Sequence, residues 1–194
     1  VMDSKPGLYQ QVLVLDFKSL YPSIIRTFKV DPLGLIEGSK SRESAIEGFK
    51  GAFFSRDRHL LPQIITDLWK QRDQAKKDKD KARSQAIKII MNSFYGVLGS
   101  GGCAFYDTKL ASSITMRGHE IMKQTAQWIE QQGYMVIYGD TDSTFVLLPD
   151  ATTDDESVNI GENLAIDINQ RWKDKLKNEM DLECFLEMEF ETHF

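Results

Sequence analysis

The residues best suited to chemistry are two carboxylates at one turn. Asp140 and Asp142 lie in YGDTDSTF (138–145), with the apolar runs MVI before them and FVLL from Phe145 on. This pattern predicts strand, tight turn, strand, with Gly139 and Asp140 supplying the turn. Two acids held together repel each other unless a cation lies between them. Carboxylate oxygens are the donors a divalent metal such as magnesium takes. An EF-hand loop is excluded, because the Gly and the distant Glu of that motif are missing. Taken alone, the hairpin reads equally well as a pair of ordinary turn acids.

A third acid closes a separate run. QVLVLD (11–16) reads as a buried strand ending on Asp16. In the following FKSLYPSIIRTF, Pro22 fits the first turn of a helix. The backbone amides of Lys18 to Tyr21 are then expected to point outward near a helix start, a natural seat for a triphosphate. If Asp16 meets Asp140 and Asp142 on neighbouring strands, three acids would suit two divalent ions about 3.5–4 Å apart.

Positive charge is concentrated elsewhere. Between Lys70 and Lys88 stand Lys70, Arg72, Lys76, Lys77, Lys79, Lys81, Arg83 and Lys88, against Asp73, Asp78 and Asp80. Arg72 and Lys76 are spaced i, i+4 on one helix, and Lys88, Asn92 and Tyr95 share a face of the next. Facing a triphosphate, they would bind it and neutralise charge developing during transfer. Lys77, Lys79 and Lys81 read as a solvated face.

The elements that must position these residues follow from periodicity. Residues 31–58 are rich in Gly and Ser and read as loop with a little irregular structure. A helix opens at Leu60-Leu61-Pro62 and runs to about Lys79. A polar turn at Asp80 to Arg83 leads into a second helix, giving an antiparallel helical hairpin. GVLGSGG (96–102) reads as a Gly-rich exit. A long helix over 107–132 stops at Gly133. Thr153 with Glu156 predicts a capping box opening a helix over 154–178. In CFLEMEFETHF the acids alternate, so Glu187, Glu189 and Glu191 are expected on one strand face. The fold class is therefore α+β: an antiparallel sheet with an inserted helical hairpin.

At 194 residues, 41% of them hydrophobic, the chain can bury a core. The net charge of -5 opposes nucleic-acid binding overall, but the basic stretch from Lys70 to Lys88 offsets this locally. No apolar run approaches a membrane span and no signal-peptide pattern opens the chain. Cys103 and Cys184 lie in no metal-ligand spacing and read as two free thiols in a reducing compartment. His59, His119 and His193 show no ligand spacing, and Trp69, Trp128 and Trp172 sit on helical apolar stripes. A start on VMDSKPG and an end on FETHF read as a segment of a longer protein.

DFKSLYPS (16–23), KIIMNSFYG (88–96) and YGDTDS (138–143) resemble, in order, the three polymerase motifs of family B DNA polymerases, and most closely the bacterial members. The resemblance implies a palm over 1–58 and 102–194, with a fingers hairpin inserted over 59–101. By motif, Asp16 and Asp142 resemble the two main metal ligands and Asp140 the accessory acid. Ser19 and Leu20 resemble the triphosphate cradle, and Tyr21 the steric gate against a 2′-OH. Arg72, Lys76, Lys88 and Asn92 resemble the fingers residues that grip the triphosphate, and Tyr95 and Gly96 the contacts to the nascent base pair. Glu189, with Glu187 as the alternative, resembles the third palm acid. Two Mg²⁺ ions are implied as cofactors, with Mn²⁺ able to substitute. The implied partners are primer–template DNA, dNTP and a sliding clamp engaged through regions outside residues 1–194, in a bacterial cytoplasm at the nucleoid. A proofreading exonuclease would precede residue 1, and a thumb would follow Phe194.

Two other classes share part of this pattern. A nucleotidyl cyclase uses paired acids on a similar sheet, but has no need of the Lys88, Asn92, Tyr95 face. A non-enzymatic nucleic-acid-binding module would not need Asp16, Asp140 and Asp142 to converge. A carboxylate separation between Asp16 and Asp142 above about 8 Å would exclude a shared two-metal site.

Overall fold

A computed structural model describes residues 4–149 and 152–194. Along the chain the elements are β1 (Val12–Phe17), α1 (Leu20–Phe28), α2 (Pro32–Lys40), β2 (Ile46–Glu47), β3 (Phe53–Phe54), α3 (Leu61–Lys77), α4 (Lys81–Leu98), α5 (Thr108–Gln131), β4 (Met135–Gly139), β5 (Ser143–Leu147), α6 (Asp154–Met180) and β6 (Met188–His193). They form two compact units: the residues up to Leu20 together with Gly118–Phe194, and Tyr21–Arg117. The expected mixture of helices with an antiparallel sheet is present.

The first unit is built on a four-stranded antiparallel sheet in the order β4-β5-β1-β6. β1 alternates so that Leu13, Leu15 and Phe17 point to one face, where they are fully buried. Thr144 and Val146 lie opposite Leu15 and Leu13 and share that face. Helix α6 covers it closely: a Cβ at Gly161 would fall 2.4 Å from the Phe190 ring, so only Gly fits there. The Gly118–Gln131 part of α5 joins this layer. Trp172 on α6 donates to Thr125 Oγ1 at 3.0 Å and packs edge-on against Trp128. The opposite face carries Val12, Val14 and Asp16.

Local signals set the ends of these helices. Thr153 and Glu156 form the expected capping box at the start of α6. Gly133, with φ +92°, follows the end of α5. Asn169 on α6 clamps the first residue of β6 by both amide atoms: Nδ2 donates to the Met188 carbonyl at 2.8 Å and Oδ1 accepts from its amide at 2.7 Å.

The second unit corrects the reading of residues 31–58. That stretch holds a two-turn helix, α2, and the β2–β3 ribbon rather than loop alone. Asp31 followed by Pro32 is a helix start, and the Gly and Ser content around it masked that signal. Gly38 is required for packing, since a Cβ there would meet the Phe53 carbonyl oxygen at 2.3 Å.

Asp31 organises this unit. It is 1% exposed, and its carboxylate caps two helices. One oxygen accepts from the Gly34 amide of α2 at 2.6 Å. The other accepts from the Leu60 and Leu61 amides at the start of α3, at 3.0 and 2.7 Å.

α3 and α4 form the expected helical hairpin, but the turn is Asp78–Asp80 and α4 already begins at Lys81. Asp80 caps α4 through the Arg83 amide. α4 also runs on to Leu98, so Gly96 is helical and not part of a Gly-rich exit. On the inner stripe Ile65, Ala75, Ile87 and Met91 are buried, whereas Ile64 and Ile90 are exposed.

Asp31→Ala removes two caps and an acceptor for three amides, so it is expected to cost about 2–4 kcal/mol. Urea denaturation measures this. A loss below about 1 kcal/mol would show that the double cap is not a main support.

Candidate active site

Asp16 is the penultimate residue of β1, on the face opposite the α6 layer. Its Cα partner on β5 is Ser143 and its partner on β6 is Glu189. Directly opposed residues of antiparallel strands point the same way, so Ser143, Asp16 and Glu189 form one row across three strands. The Ser143 hydroxyl donates to Asp16 Oδ1 at 2.8 Å. The turn bearing Asp142 is tied to the same strand, because the Phe17 amide donates to the Asp142 carbonyl at 2.9 Å.

The Asp16 carboxyl is pushed up from its ordinary 3.8 to about 6. Burial is the main cause, and the negative charges of Asp142, Glu191 and Glu189 add to it. The Ser143 hydrogen bond acts in the opposite direction. The set consists of hard oxygen donors crowded by like charge, and a divalent cation would relieve that crowding. By donor chemistry, Asp16 and Asp142 suit such an ion. Among the described residues, no group of three or more His, Cys, Asp or Glu side chains is placed to hold a metal.

The other expected acids are differently engaged. Asp140 is exposed and folded onto its own turn, its Oδ1 accepting from the Thr141 amide at 2.8 Å. Its backbone amide donates to the Ser143 carbonyl and closes the hairpin. Glu189 lies 3.1 Å from Lys18 Nζ, and Glu187 lies 2.7 Å from the same nitrogen. Glu187 precedes β6, so the terminal acids do not all share one strand face as expected. A register shift in the β1–β6 pairing places Glu191 as the extra residue of a bulge.

The helix-start expectation needs one correction. The Lys18 amide does not point outward but donates to the Glu187 carbonyl at 2.9 Å. Ser19 has φ +45° and leads into α1 at Leu20.

In the second unit, the Tyr21 and Tyr95 rings meet with centroids 4.7 Å apart, tilted by 50°. Arg72 and Lys76 lie on α3, and Lys88, Asn92, Tyr95 and Gly96 on α4. Lys76, Lys88 and Asn92 are exposed, while Arg72 is half-buried with its Nε unpartnered. A buried cationic donor without an acceptor is costly, and it suits an anionic ligand. Around Gly96 there is open space.

The family model described as DNA polymerase family B matches residues 1–186. The chain belongs to DNA polymerase family B. DNA polymerase II of Escherichia coli is 58% identical over 196 aligned residues, covering 100% of this chain and 25% of that protein. The DNA polymerase of Thermococcus gorgonarius is 36% identical over 166 residues, covering 78% of this chain and 21% of the relative. The Dictyostelium discoideum protein named DNA polymerase alpha catalytic subunit is 32% identical over 185 residues, covering 89% and 12%. The chain thus spans about a quarter or less of the length of these curated relatives. Membership of family B sets aside the nucleotidyl cyclase reading. Among the described residues, no helix is long and apolar enough to cross a membrane.

Two residues that sequence reasoning did not single out contribute to the site. Ser143 anchors Asp16, and Lys18 bridges Glu187 and Glu189. Both lie inside the quoted motifs, but their partners are 127 and about 170 positions away.

Because the folded Asp16 carboxyl holds its proton more tightly than in the unfolded chain, its ionisation weakens the native state. Stability falls as pH rises from the ordinary 3.8 towards about 6, and the loss is complete above that range. Asp142→Asn should lower the Asp16 pKa and Ser143→Ala should raise it, as read by carboxyl NMR titration. Shifts of the same sign in both variants would refute this balance of forces.

Proposed function

We propose that the chain forms the palm and fingers of a DNA-directed DNA polymerase, with the palm over 1–58 and 102–194 and the fingers over 59–101. The observation that carries this reading is the pairing of β1 with β5, which sets Asp16 beside the Asp142 turn in a member of DNA polymerase family B. The reaction is attack of a primer 3′-OH on the α-phosphate of a dNTP, with release of pyrophosphate, on a DNA template.

Asp16 and Asp142 would hold Mg²⁺, or Mn²⁺ in its place, with Asp140 as the accessory acid; Glu189 on β6 stands where the resemblance puts the third palm acid, with Glu187 as the alternative. When bound, two such ions supply activation of the attacking hydroxyl and stabilisation of the leaving pyrophosphate. Ser143 orients the Asp16 carboxylate. Ser19 and Leu20 cradle the triphosphate. Arg72, Lys76, Lys88 and Asn92 grip it and offset its charge. Tyr21 stacks under the deoxyribose and excludes a 2′-OH, and its ring contact with Tyr95 limits its movement. Tyr95 and Gly96 contact the nascent base pair. A sliding clamp would be engaged by segments outside residues 1–194, in a cytoplasmic, DNA-associated enzyme.

Asp142→Asn is expected to lower nucleotide addition by about a thousandfold or more while primer–template binding persists. Primer extension and a DNA-binding assay measure the two; retained extension would remove Asp142 from the ligand role. Tyr21→Ala should raise ribonucleotide insertion relative to dNTP by roughly 10–100-fold. Tyr95→Phe, which keeps the ring contact, should leave that ratio near wild type. Unchanged selectivity in Tyr21→Ala would take the gate role from Tyr21.

A further inference from the structure

We propose that Lys18 is a positioning residue whose ammonium takes the cation place among the acids leading into β6, and so keeps Glu187 and Glu189 out of the ligand set of Asp16 and Asp142. This rests on reading Asp16 and Asp142 as cation ligands.

The register creates the need. Glu189 lies directly opposite Asp16 and shares its face, which makes it a neighbouring carboxylate for any cation that Asp16 holds. Lys18 answers it from the chain just past Asp16. Its Nζ contacts Glu187 Oε1 at 2.7 Å and Glu189 Oε2 at 3.1 Å. Its backbone is fixed to the same segment by the hydrogen bond that its amide N–H donates to the Glu187 carbonyl. Lys18 is therefore held at both ends, and its charge sits where the two acids meet. An ammonium has three donors on one compact centre and can serve two carboxylates at once. The Lys18 side chain is 34% exposed and those of Glu187 and Glu189 55% and 48%, so solvent and salt weaken each pair, and the effect of Lys18 rests on one charge serving both acids.

The arrangement has a functional consequence. A third full carboxylate on the ion would tighten metal binding in the absence of nucleotide and leave fewer positions for phosphate oxygens. Magnesium sites that work on nucleotides keep one or two protein carboxylates and leave the remainder to phosphate and water. Lys18 holds the site to that composition.

The test is a Mn²⁺ titration of the protein without DNA or nucleotide, with free Mn²⁺ counted by electron paramagnetic resonance. Lys18→Met should bind Mn²⁺ roughly tenfold more tightly, because it releases two carboxylates and removes a positive charge. Adding Glu189→Gln to Lys18→Met should return the affinity to within about twofold of wild type, and Lys18→Arg should stay there because the charge remains. Glu189→Gln alone should change the affinity by less than about twofold, since Glu189 is not a ligand while Lys18 holds it. Unchanged or weaker binding in Lys18→Met, or clear weakening in Glu189→Gln alone, overturns the proposal. Asp142→Asn separates the two levels. If it abolishes Mn²⁺ binding while Lys18→Met changes nothing, the Lys18 proposal alone fails. If it leaves binding intact, the cation reading of Asp16 and Asp142 fails and the Lys18 proposal falls with it.

Discussion

The position of β1 between β5 and β6 is the constraint on which the acidic face depends. Side chains on a strand alternate, so a one-residue slip would turn Asp16 into the helix-covered core and bring Leu15 to the opposite face. Leu13, Leu15 and Phe17 prevent that slip, because all three are buried beneath the helical layer. The hydrophobic pattern of β1 thus aims its one acid. Ser143 and Glu189 flank Asp16 because the same register holds on both sides.

Crowding acids on one face works against stability. Burial and like charge raise the Asp16 pKa, and two groups reduce the strain. The Ser143 hydroxyl stabilises the ionised form of Asp16, and the Lys18 ammonium neutralises part of the β6 charge. Support for β6 extends into α6. The Thr153–Glu156 box starts that helix, Gly161 lets it approach Phe190, and the Asn169 amide fixes the backbone of Met188, one residue before Glu189. The site is therefore held by contacts well removed from its carboxylates.

The second unit solves a different problem with similar means. α3 starts after Leu60 without a side-chain cap of its own, and a single buried carboxylate, Asp31, satisfies amides of both α2 and α3. The basic residues on α3 and α4 need no such support, because most of them are exposed on a hairpin held by Ile65, Ala75, Ile87 and Met91.

Features that depend on near neighbours were legible in the chain alone. The strand carrying Asp16, one residue short of its end at Phe17, the hairpin at Asp140–Asp142, the helical hairpin, the stop at Gly133 and the Thr153–Glu156 cap follow from period, turn residues and capping within a few positions. The motifs also carried the family. Local reading failed where competing signals overlapped: Gly34, Gly38 and nearby Ser residues concealed α2, and Gly96 suggested an exit inside α4. Which acids meet was settled by the folded arrangement. Asp16 finds Ser143 across 127 positions and Lys18 finds Glu187 across 169. No periodicity encodes such distances; they follow from strand register and from the core that enforces it.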